Sequence, residues 1–170
     1  MQSDPTTLVK GSDEAFQRLL LRFSEAAAGG MDDVALIDLF CQTTREFFQV
    51  SGSYFWQLVG PNELPGAAAD GVMAEKILGY RLTSQMPSVV LETVQSRRTL
   101  YVNYLDPDKY PLAGEFGTRA ILAAPLVVCS EVIGATAFLT MQIRAFSMTT
   151  SRLRPRSLPG SWGVCSRPRG

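Results

Sequence analysis

The chain opens with two stretches in which apolar residues recur at helical spacing. The first follows Ser12, a residue suited to an N-cap, and stops at Gly29-Gly30. Its apolar stripe comprises Phe16, Leu19, Leu20, Phe23 and Ala27. Asp32 is expected to cap the second stretch, which ends by Gly52 and has the stripe Ile37, Phe40, Cys41, Thr44 and Phe48. This pattern predicts two amphipathic helices at the start of the fold.

Beyond these helices the helical spacing gives way to short apolar runs. Residues 53–60 (SYFWQLVG) are apolar on both alternating faces and close on a Gly-Pro-Asn turn signal, so we expect a strand covered on both sides. Residues 64–71 (LPGAAADG) predict a weaker returning strand, and residues 99–104 (TLYVNY) predict another. A third helix is expected between them, with Pro87 in its first turn and Arg97-Arg98 in its last. Its buried stripe would be Val90, Leu91 and Val94.

The most apolar segment, residues 117–139 (GTRAILAAPLVVCSEVIGATAFL), predicts two strands joined by a hairpin whose polar tip is Ser130-Glu131. Apolar residues at nearly every position are typical of a sheet buried on both faces. Pro125 would mark an irregularity, and Gly134 a place where a side chain would obstruct the hairpin. Helices first and several antiparallel strands afterwards predict an α+β fold.

Composition limits the chemistry that this chain could perform. The 170 residues contain no histidine, which excludes Ser-His-Asp and Cys-His nucleophiles, histidine metal sites and a phosphoaccepting histidine. The chain alone is therefore not a complete histidine kinase. Three cysteines without a C-x-x-C spacing suggest neither a disulfide framework nor a zinc site. Cys41 and Cys129 lie in apolar surroundings, so we expect both to be small core residues.

The formal net charge of zero hides an acidic body and a basic tail. Residues 1–143 hold ten Lys and Arg against sixteen Asp and Glu, a net charge of −6, whereas residues 144–170 hold six Arg and no acid, a net charge of +6. The tail has no periodic pattern, which predicts disorder, and it lacks the interleaved aromatics of a nucleic-acid-binding segment apart from Trp162. The sequence shows no signal peptide and no apolar run long enough to cross a bilayer, so we expect a cytoplasmic protein without membrane or nucleic-acid partners.

Two strings in the chain resemble the GAF domain, a small-molecule-sensing relative of the PAS fold found in signalling proteins. VLETVQSRRTLYVNY (residues 90–104) is similar to the family's helix-then-strand segment, and RAILAAPLVVCSEVIGATAF (residues 119–138) is similar to its hairpin signature. The resemblance covers residues 12–147, with an extension over 1–11 and an irregular tail over 148–170. It implies a central antiparallel sheet with the N-terminal helices on one face and a helix plus loops over a cavity on the other.

The chain also departs from the family. It lacks the Asn-Lys, Phe and Asp-Glu pattern of cyclic-nucleotide pockets, and it lacks the histidine that accompanies the cysteine of bilin-binding members. After residue 147 the family continues into a long amphipathic helix, whereas this tail resembles the output of a shifted reading frame, a hypothesis that resequencing around codon 147 would test. The cofactor, if there is one, is not identified.

The candidate ligand-binding residues lie on the strand and loop expected to roof the cavity: Tyr101, Asn103, Tyr104, Asp106, Tyr110, Phe116 and Arg119. Aromatic rings and a guanidinium suit a planar or anionic metabolite. Trp56, with Tyr54, could line the same cavity. In the competing interpretation, Asn103 and Asp106 cap turns, the tyrosines pack the loop onto the sheet and Arg119 pairs with Glu115 or Glu131. We expect no catalytic and no metal-binding residues.

The resemblance implies a non-catalytic sensory or regulatory domain of a signal-transduction protein, such as a sensor histidine kinase. It would bind a small ligand, dimerise through its first helix, or both, and act on an output domain outside this chain. Two alternatives stay open: a thiol-dependent reductase of free methionine sulfoxide that uses Cys129, and a purely structural interaction domain.

Overall fold

The computed structural model describes residues 5–141, with side chains described from residue 13 onward. Two helices come first, α1 (Pro5–Ala28) and α2 (Asp33–Phe48). Asp32 caps α2 as expected, because its side chain accepts a hydrogen bond from the Ala35 amide at 2.9 Å. The predicted start of α1 was wrong, since the helix begins at Pro5 and Ser12 lies inside it. Proline at the first helical position gives up no intrahelical hydrogen bond, so Pro5 suits this start.

A six-stranded antiparallel sheet with the order β3-β2-β1-β6-β5-β4 forms the centre of the domain. The α+β fold with an antiparallel sheet is confirmed. The strands are β1 (Gly52–Gln57), β2 (Glu63–Gly71), β3 (Arg81–Thr83), β4 (Leu100–Val102), β5 (Ala120–Val128) and β6 (Glu131–Thr140). Three short helices connect them: α3 (Ala74–Leu78), α4 (Val89–Ser96) and α5 (Pro111–Glu115).

Helix α4 keeps its predicted buried stripe of Val90, Leu91 and Val94 but not its predicted ends. Ser88 is the N-cap, and its hydroxyl oxygen accepts from the Leu91 amide at 3.1 Å, so Pro87 precedes the helix instead of opening it. Arg97 is the C-cap in a left-handed conformation, and no basic residue lies in the last turn. The capping Ser88, which the spacing of apolar residues does not mark, fixes the start of the helix.

Helices cover both faces of the sheet, as the apolar pattern of β1 predicts. Tyr54 and Trp56 point to the side that carries α3, α4 and α5, which we call the cavity face. Phe55 points to the side that carries α1 and α2, which we call the helix face, and there it packs against Cys41. Register extends this assignment across the sheet, because directly paired residues such as Trp56 and Ala135 share a face.

The hairpin of β5 and β6 is shielded only along its inner half. Residues 120–123 and 134–140 are buried, whereas Val127, Val128 and Ile133 near the tip are 52%, 50% and 40% exposed. Cys129 and Ser130 form the two-residue turn, with φ angles of 50° and 69°. The expectation that Cys129 is a core residue was therefore wrong, whereas Cys41 is fully buried as expected.

Gly134 occupies the tightest point of this hairpin. A Cβ atom there would lie 2.2 Å from the carbonyl oxygen of Trp56 on the neighbouring strand, which confirms that a side chain would obstruct it. The irregularity predicted at Pro125 is not found there, since Pro125 pairs in register with Ala135, and the register shift lies between Leu126 and Val127. The hairpin thus keeps β1 and β6 in close contact under the cavity.

Candidate functional site

The cavity face encloses a cavity of about 50 Å³ between the sheet, α4 and the segment that contains α5. Mostly apolar side chains line it, from strands β1, β3, β5 and β6, from helices α3, α4 and α5, and from the loops beside them. No lysine, arginine or acidic residue is among them. The lining residues are Tyr54, Trp56, Ile77, Leu82, Pro87, Ser88, Val89, Val90, Leu105, Tyr110, Leu112, Ala113, Phe116, Thr118, Ile121, Ala137 and Leu139.

The polar groups around the cavity already have partners within the protein. The Tyr54 hydroxyl donates to the Val72 carbonyl oxygen, and the Tyr110 hydroxyl lies 3.2 Å from each carboxylate oxygen of Glu92. The Ser88 hydroxyl oxygen is occupied by its capping role. Among the described side chains, no buried nitrogen or oxygen lacks a hydrogen-bond partner. The cavity therefore offers apolar contact and no unsatisfied polar group to a ligand.

One surface of the cavity is a segment that we call the lid, residues 105–117, which includes α5. Its Tyr110 and Phe116 side chains are each 5% exposed and belong to the core on this face. Phe116 meets the Tyr80 ring edge-on, with 5.6 Å between ring centroids, and Lys109 places its Nζ 4.7 Å from the centroid of the Tyr110 ring. The Tyr110–Glu92 hydrogen bond ties the lid to α4. The lid fills space that the sheet and α4 would otherwise leave open.

The size of the cavity decides what it accepts while the lid is closed. A dry protein cavity of about 150 Å³ accommodates benzene, and the cavity here, at about 50 Å³, has a third of that volume. A ligand of metabolite size fits only if lid side chains such as Tyr110 and Phe116 move outward.

Three of the predicted site residues, Trp56, Tyr110 and Phe116, line the cavity together with Tyr54. Tyr101 does not, because it points to the helix face. Its neighbours Leu100 and Val102 pack into the core of the cavity face, and side chains alternate along a strand.

The other four predicted residues, Asn103, Tyr104, Asp106 and Arg119, are exposed and lie outside the cavity lining. Tyr104 is 74% exposed, and Asn103 accepts a hydrogen bond from the Tyr101 hydroxyl. Asp106 accepts from the Asp108 amide at 2.9 Å, the turn role that the competing interpretation assigns to it.

Arg119 does not form the ion pair with Glu115 or Glu131 that the competing interpretation expects. Within residues 13–141 the ion pairs are Arg45–Asp70 and Arg81–Glu63. The cavity lining contains no arginine, so the feature that would suit an anionic metabolite is missing there.

The cavity-lining residues that lie on the short elements were not identified from the sequence. Ile77 lies on α3, Leu82 on β3, and Leu112 and Ala113 on α5, in segments of three to five residues that show no periodic pattern. Thr118 follows the lid directly. Alternation along β5 and β6 does mark Ile121, Ala137 and Leu139 as facing the side of Trp56, once the register is known.

Neither described cysteine supplies a reactive thiol to the cavity. Cys129 lies at the hairpin tip, outside the cavity lining. Burial raises the pKa of the Cys41 thiol from 9.0 to about 12, against the lowering effect of a hydrogen bond with Ser53. Over the described part of the chain, no group of three His, Cys, Asp or Glu side chains could hold a metal ion. No helix of that part has the length and apolarity needed to cross a bilayer.

Comparison with known families identifies the family to which this chain belongs. The sequence model of the GAF domain matches residues 34–152. The chain belongs to the GAF family. Its GAF fold resembles the GAF domain of a phosphoenolpyruvate-protein phosphotransferase from Acinetobacter, with 13% identity, a TM-score of 0.65, and coverage of 86% of this chain and 84% of that one. No curated protein sequence matches the chain.

Two further GAF structures share the fold at low sequence identity. The phycocyanobilin-bound GAF domain of a cyanobacterial phytochrome is 11% identical, with a TM-score of 0.65 and coverage of 75% of this chain and 81% of that one. The GAF domain of A. aeolicus nlh2 in an inactive state is 15% identical, with a TM-score of 0.62 and coverage of 76% and 81%. GAF domains are a sensory and regulatory family, and they are generally non-catalytic.

Proposed function

We propose that this GAF domain is a non-catalytic sensor within a cytoplasmic signalling protein, and that a small, mainly apolar ligand enters the cavity by displacing the lid. The supporting observation is an apolar cavity closed by the protein's own side chains, with Tyr110 and Phe116 inserted where a ligand would lie. The absence of charged residues from the lining favours a neutral, flat ligand over an anionic one.

In this proposal the domain has two states, one with the lid closed and one with the lid open, and a ligand distinguishes them. With the lid closed, Tyr110 bonds to Glu92 and Phe116 packs on Tyr80. With the lid open, those contacts are exchanged for contacts with the ligand. A ligand shifts the equilibrium only by its difference in affinity for the two states, and here that difference is large because the closed cavity has no room for it.

Homodimerisation through α1 is the second part of the proposal. Leu20 and Leu21 on this helix are 49% and 59% exposed, and Phe16 is 49% exposed although its ring lies 6.0 Å from that of Phe47. A second copy would cover these side chains. Signal output would then pass to a domain outside this chain, as in a sensor histidine kinase.

Melting temperature in the presence of small apolar compounds tests the ligand proposal. A ligand at a hundred times its Kd stabilises the folded state by about 2.7 kcal/mol, which raises the melting temperature by roughly 5–10 °C in a domain of this size. Ala113→Leu should abolish the shift, because Ala113 lines the cavity from the lid and a larger side chain fills it.

Ala124→Leu is the matched control, since Ala124 pairs with Thr136 and faces the opposite side of the sheet. A shift that survives Ala113→Leu, or a broad set of neutral and charged metabolites that produces no shift in the unaltered chain, would contradict ligand binding in the cavity.

A further inference from the structure

A second concave region lies between α1 and α2, on the opposite side of the sheet from the cavity, and all of its lining residues belong to these two helices. This groove has a volume of about 300 Å³, at the lower end of the range for small-molecule sites. Its lining residues are Ala15, Arg18, Leu19, Arg22, Thr43, Glu46 and Phe47. We propose that the groove binds a small organic anion, namely a phosphate or carboxylate group attached to a flat apolar body.

The positive charge in the groove comes from Arg18 and Arg22, which lie one helical turn apart on α1. Like charges at this spacing destabilise a helix slightly, and their Cβ atoms are about 5–6 Å apart. Neither forms an ion pair, since the ion pairs among the described side chains involve Arg45 and Arg81. Two unpaired guanidinium groups on one flank present a set of donors that suits a single oxyanion held by both.

The remaining surface of the groove is mostly apolar. Leu19 and Ala15 contribute from α1, and Phe47 contributes an aromatic ring from α2. The Phe47 ring is held in place by a tilted contact with Phe16 and an edge-on contact with Phe48 at 5.0 Å between centroids. A fixed ring beside two guanidinium groups favours a ligand with a flat apolar part. Inorganic phosphate alone would leave this surface without a partner.

Two other polar side chains in the groove, Thr43 and Glu46, do not help to bind the anion. The Thr43 hydroxyl donates to the Leu39 carbonyl oxygen at 2.7 Å, so its proton is already used. Glu46 brings a carboxylate to the groove, and it repels an anion that approaches its side. Recognition of the anion therefore depends on Arg18 and Arg22, and Glu46 weakens it.

Phenyl phosphate is the probe that tests this site, titrated into the full chain and followed by calorimetry or by backbone amide chemical shifts. We expect saturable binding in the millimolar range or tighter, with inorganic phosphate and phenol each binding at least about 5-fold more weakly. The double variant Arg18→Gln/Arg22→Gln should weaken phenyl phosphate at least about 10-fold, because it removes two charge-assisted hydrogen bonds.

Arg97→Gln/Arg98→Gln is the matched control, because it removes the same two positive charges from exposed positions after α4. It should change the Kd less than about 2-fold, since the charges lie in another element. Glu46→Gln should tighten binding about 2- to 3-fold by removing the repulsive carboxylate. If Arg18→Gln/Arg22→Gln does not fold, Arg18→Lys/Arg22→Lys keeps both charges and should weaken binding about 3-fold by losing the planar donor pair.

Several outcomes would overturn the site. The first is the absence of saturable binding up to about 10 mM. Equal weakening by the two double glutamine variants would show that only overall charge matters. Equal affinity for inorganic phosphate and phenyl phosphate would remove the flat apolar part from the proposal. These results leave ligand binding in the cavity untouched, because the groove and the cavity share no residue.

Discussion

The two faces of the sheet are built from the same strands but pack differently. On the cavity face, sixteen buried residues from seven of the eleven described elements and from the lid form one continuous apolar cluster. On the helix face, the buried apolar residues divide into two groups of three, centred on Cys41 and on Phe138. The face expected to hold a ligand is therefore also the face that holds the domain together.

Buried polar groups account for part of this difference. Between α2 and β1, the Thr44 and Ser53 hydroxyls are 2.9 Å apart, and both residues are buried. Thr136 on β6 adds a third hydroxyl, which donates to the Tyr54 carbonyl oxygen. Hydroxyl groups at these positions interrupt the apolar surface of the helix face, whereas Ala135, Ala137 and Leu139 on the same strand give the cavity face a continuous one.

Exposure adds to the contrast. Phe48 at the end of α2 is 42% exposed although its ring lies 5.1 Å from that of Phe138. Trp56, at the centre of the cavity face, is 2% exposed. Phe48 can therefore contact a partner at little cost to the fold, whereas Trp56 both stabilises the core and shapes the cavity.

Removing an aromatic side chain from each face gives the largest predicted difference. Trp56→Ala should lower the free energy of unfolding by about 3–5 kcal/mol, because it leaves a void beside an existing cavity. Phe48→Ala should cost about 1 kcal/mol, because much of its ring is already in contact with water. Urea unfolding followed by circular dichroism avoids reliance on tryptophan fluorescence, which the first variant alters. Equal losses for the two variants would mean that the faces do not differ in packing.

The burial of the apolar strands and helices could be predicted from the sequence because alternation and helical spacing are local properties. The double-sided burial of β1, the antiparallel hairpin and the stripe of α4 all follow from residue types a few positions apart. The direction of Tyr101 was equally available, since Leu100 and Val102 flank it on a strand of three residues. Grouping it with the loop residues that follow concealed that alternation.

The size of the cavity and the turn at Cys129 could not be read in the same way. The cavity volume depends on side chains from segments far apart in sequence, including α3 and α5, which are too short to show a period. The two-residue turn uses Cys129 and Ser130 at positive φ without the Asn or Gly that normally marks it. The apolar run that precedes it made Cys129 resemble a core residue.

A charge placed on the exposed side of α1 tests whether the helix face binds a second copy of the chain. Leu20→Glu should weaken a homodimer at least about 30-fold, or about 2 kcal/mol, by placing a carboxylate in an apolar contact that the second copy repeats. The Trp56-centred core should be unaffected, since Leu20 lies on the opposite side of the sheet from it. Sedimentation velocity over a range of concentrations measures the dimer, and urea unfolding serves as the control. A chain that is monomeric before the substitution would remove dimerisation from the proposed function.

The smallest predicted effect concerns pH and again separates the two faces, because the buried thiol of Cys41 belongs to the helix face alone. Burial raises its pKa in the folded state to about 12, whereas the thiol of the unfolded chain titrates near 9.0. Below pH 9 both states hold the proton, so this group adds no pH dependence. Above pH 9 the unfolded state loses the proton first, and stability should fall, by about 1 kcal/mol at pH 10.

Cys41→Ala removes this titration, so the difference in unfolding free energy between the unaltered chain and the variant should shrink as the pH rises from 8 to 10. Tyr54 also has a pKa raised to about 12 by burial, and it is present in both proteins, so its contribution cancels in the comparison. Urea unfolding at matched ionic strength supplies the two curves. Parallel curves for the two proteins would mean that the thiol reaches water in the folded state, and that the helix face is more open around Cys41 than its complete burial indicates.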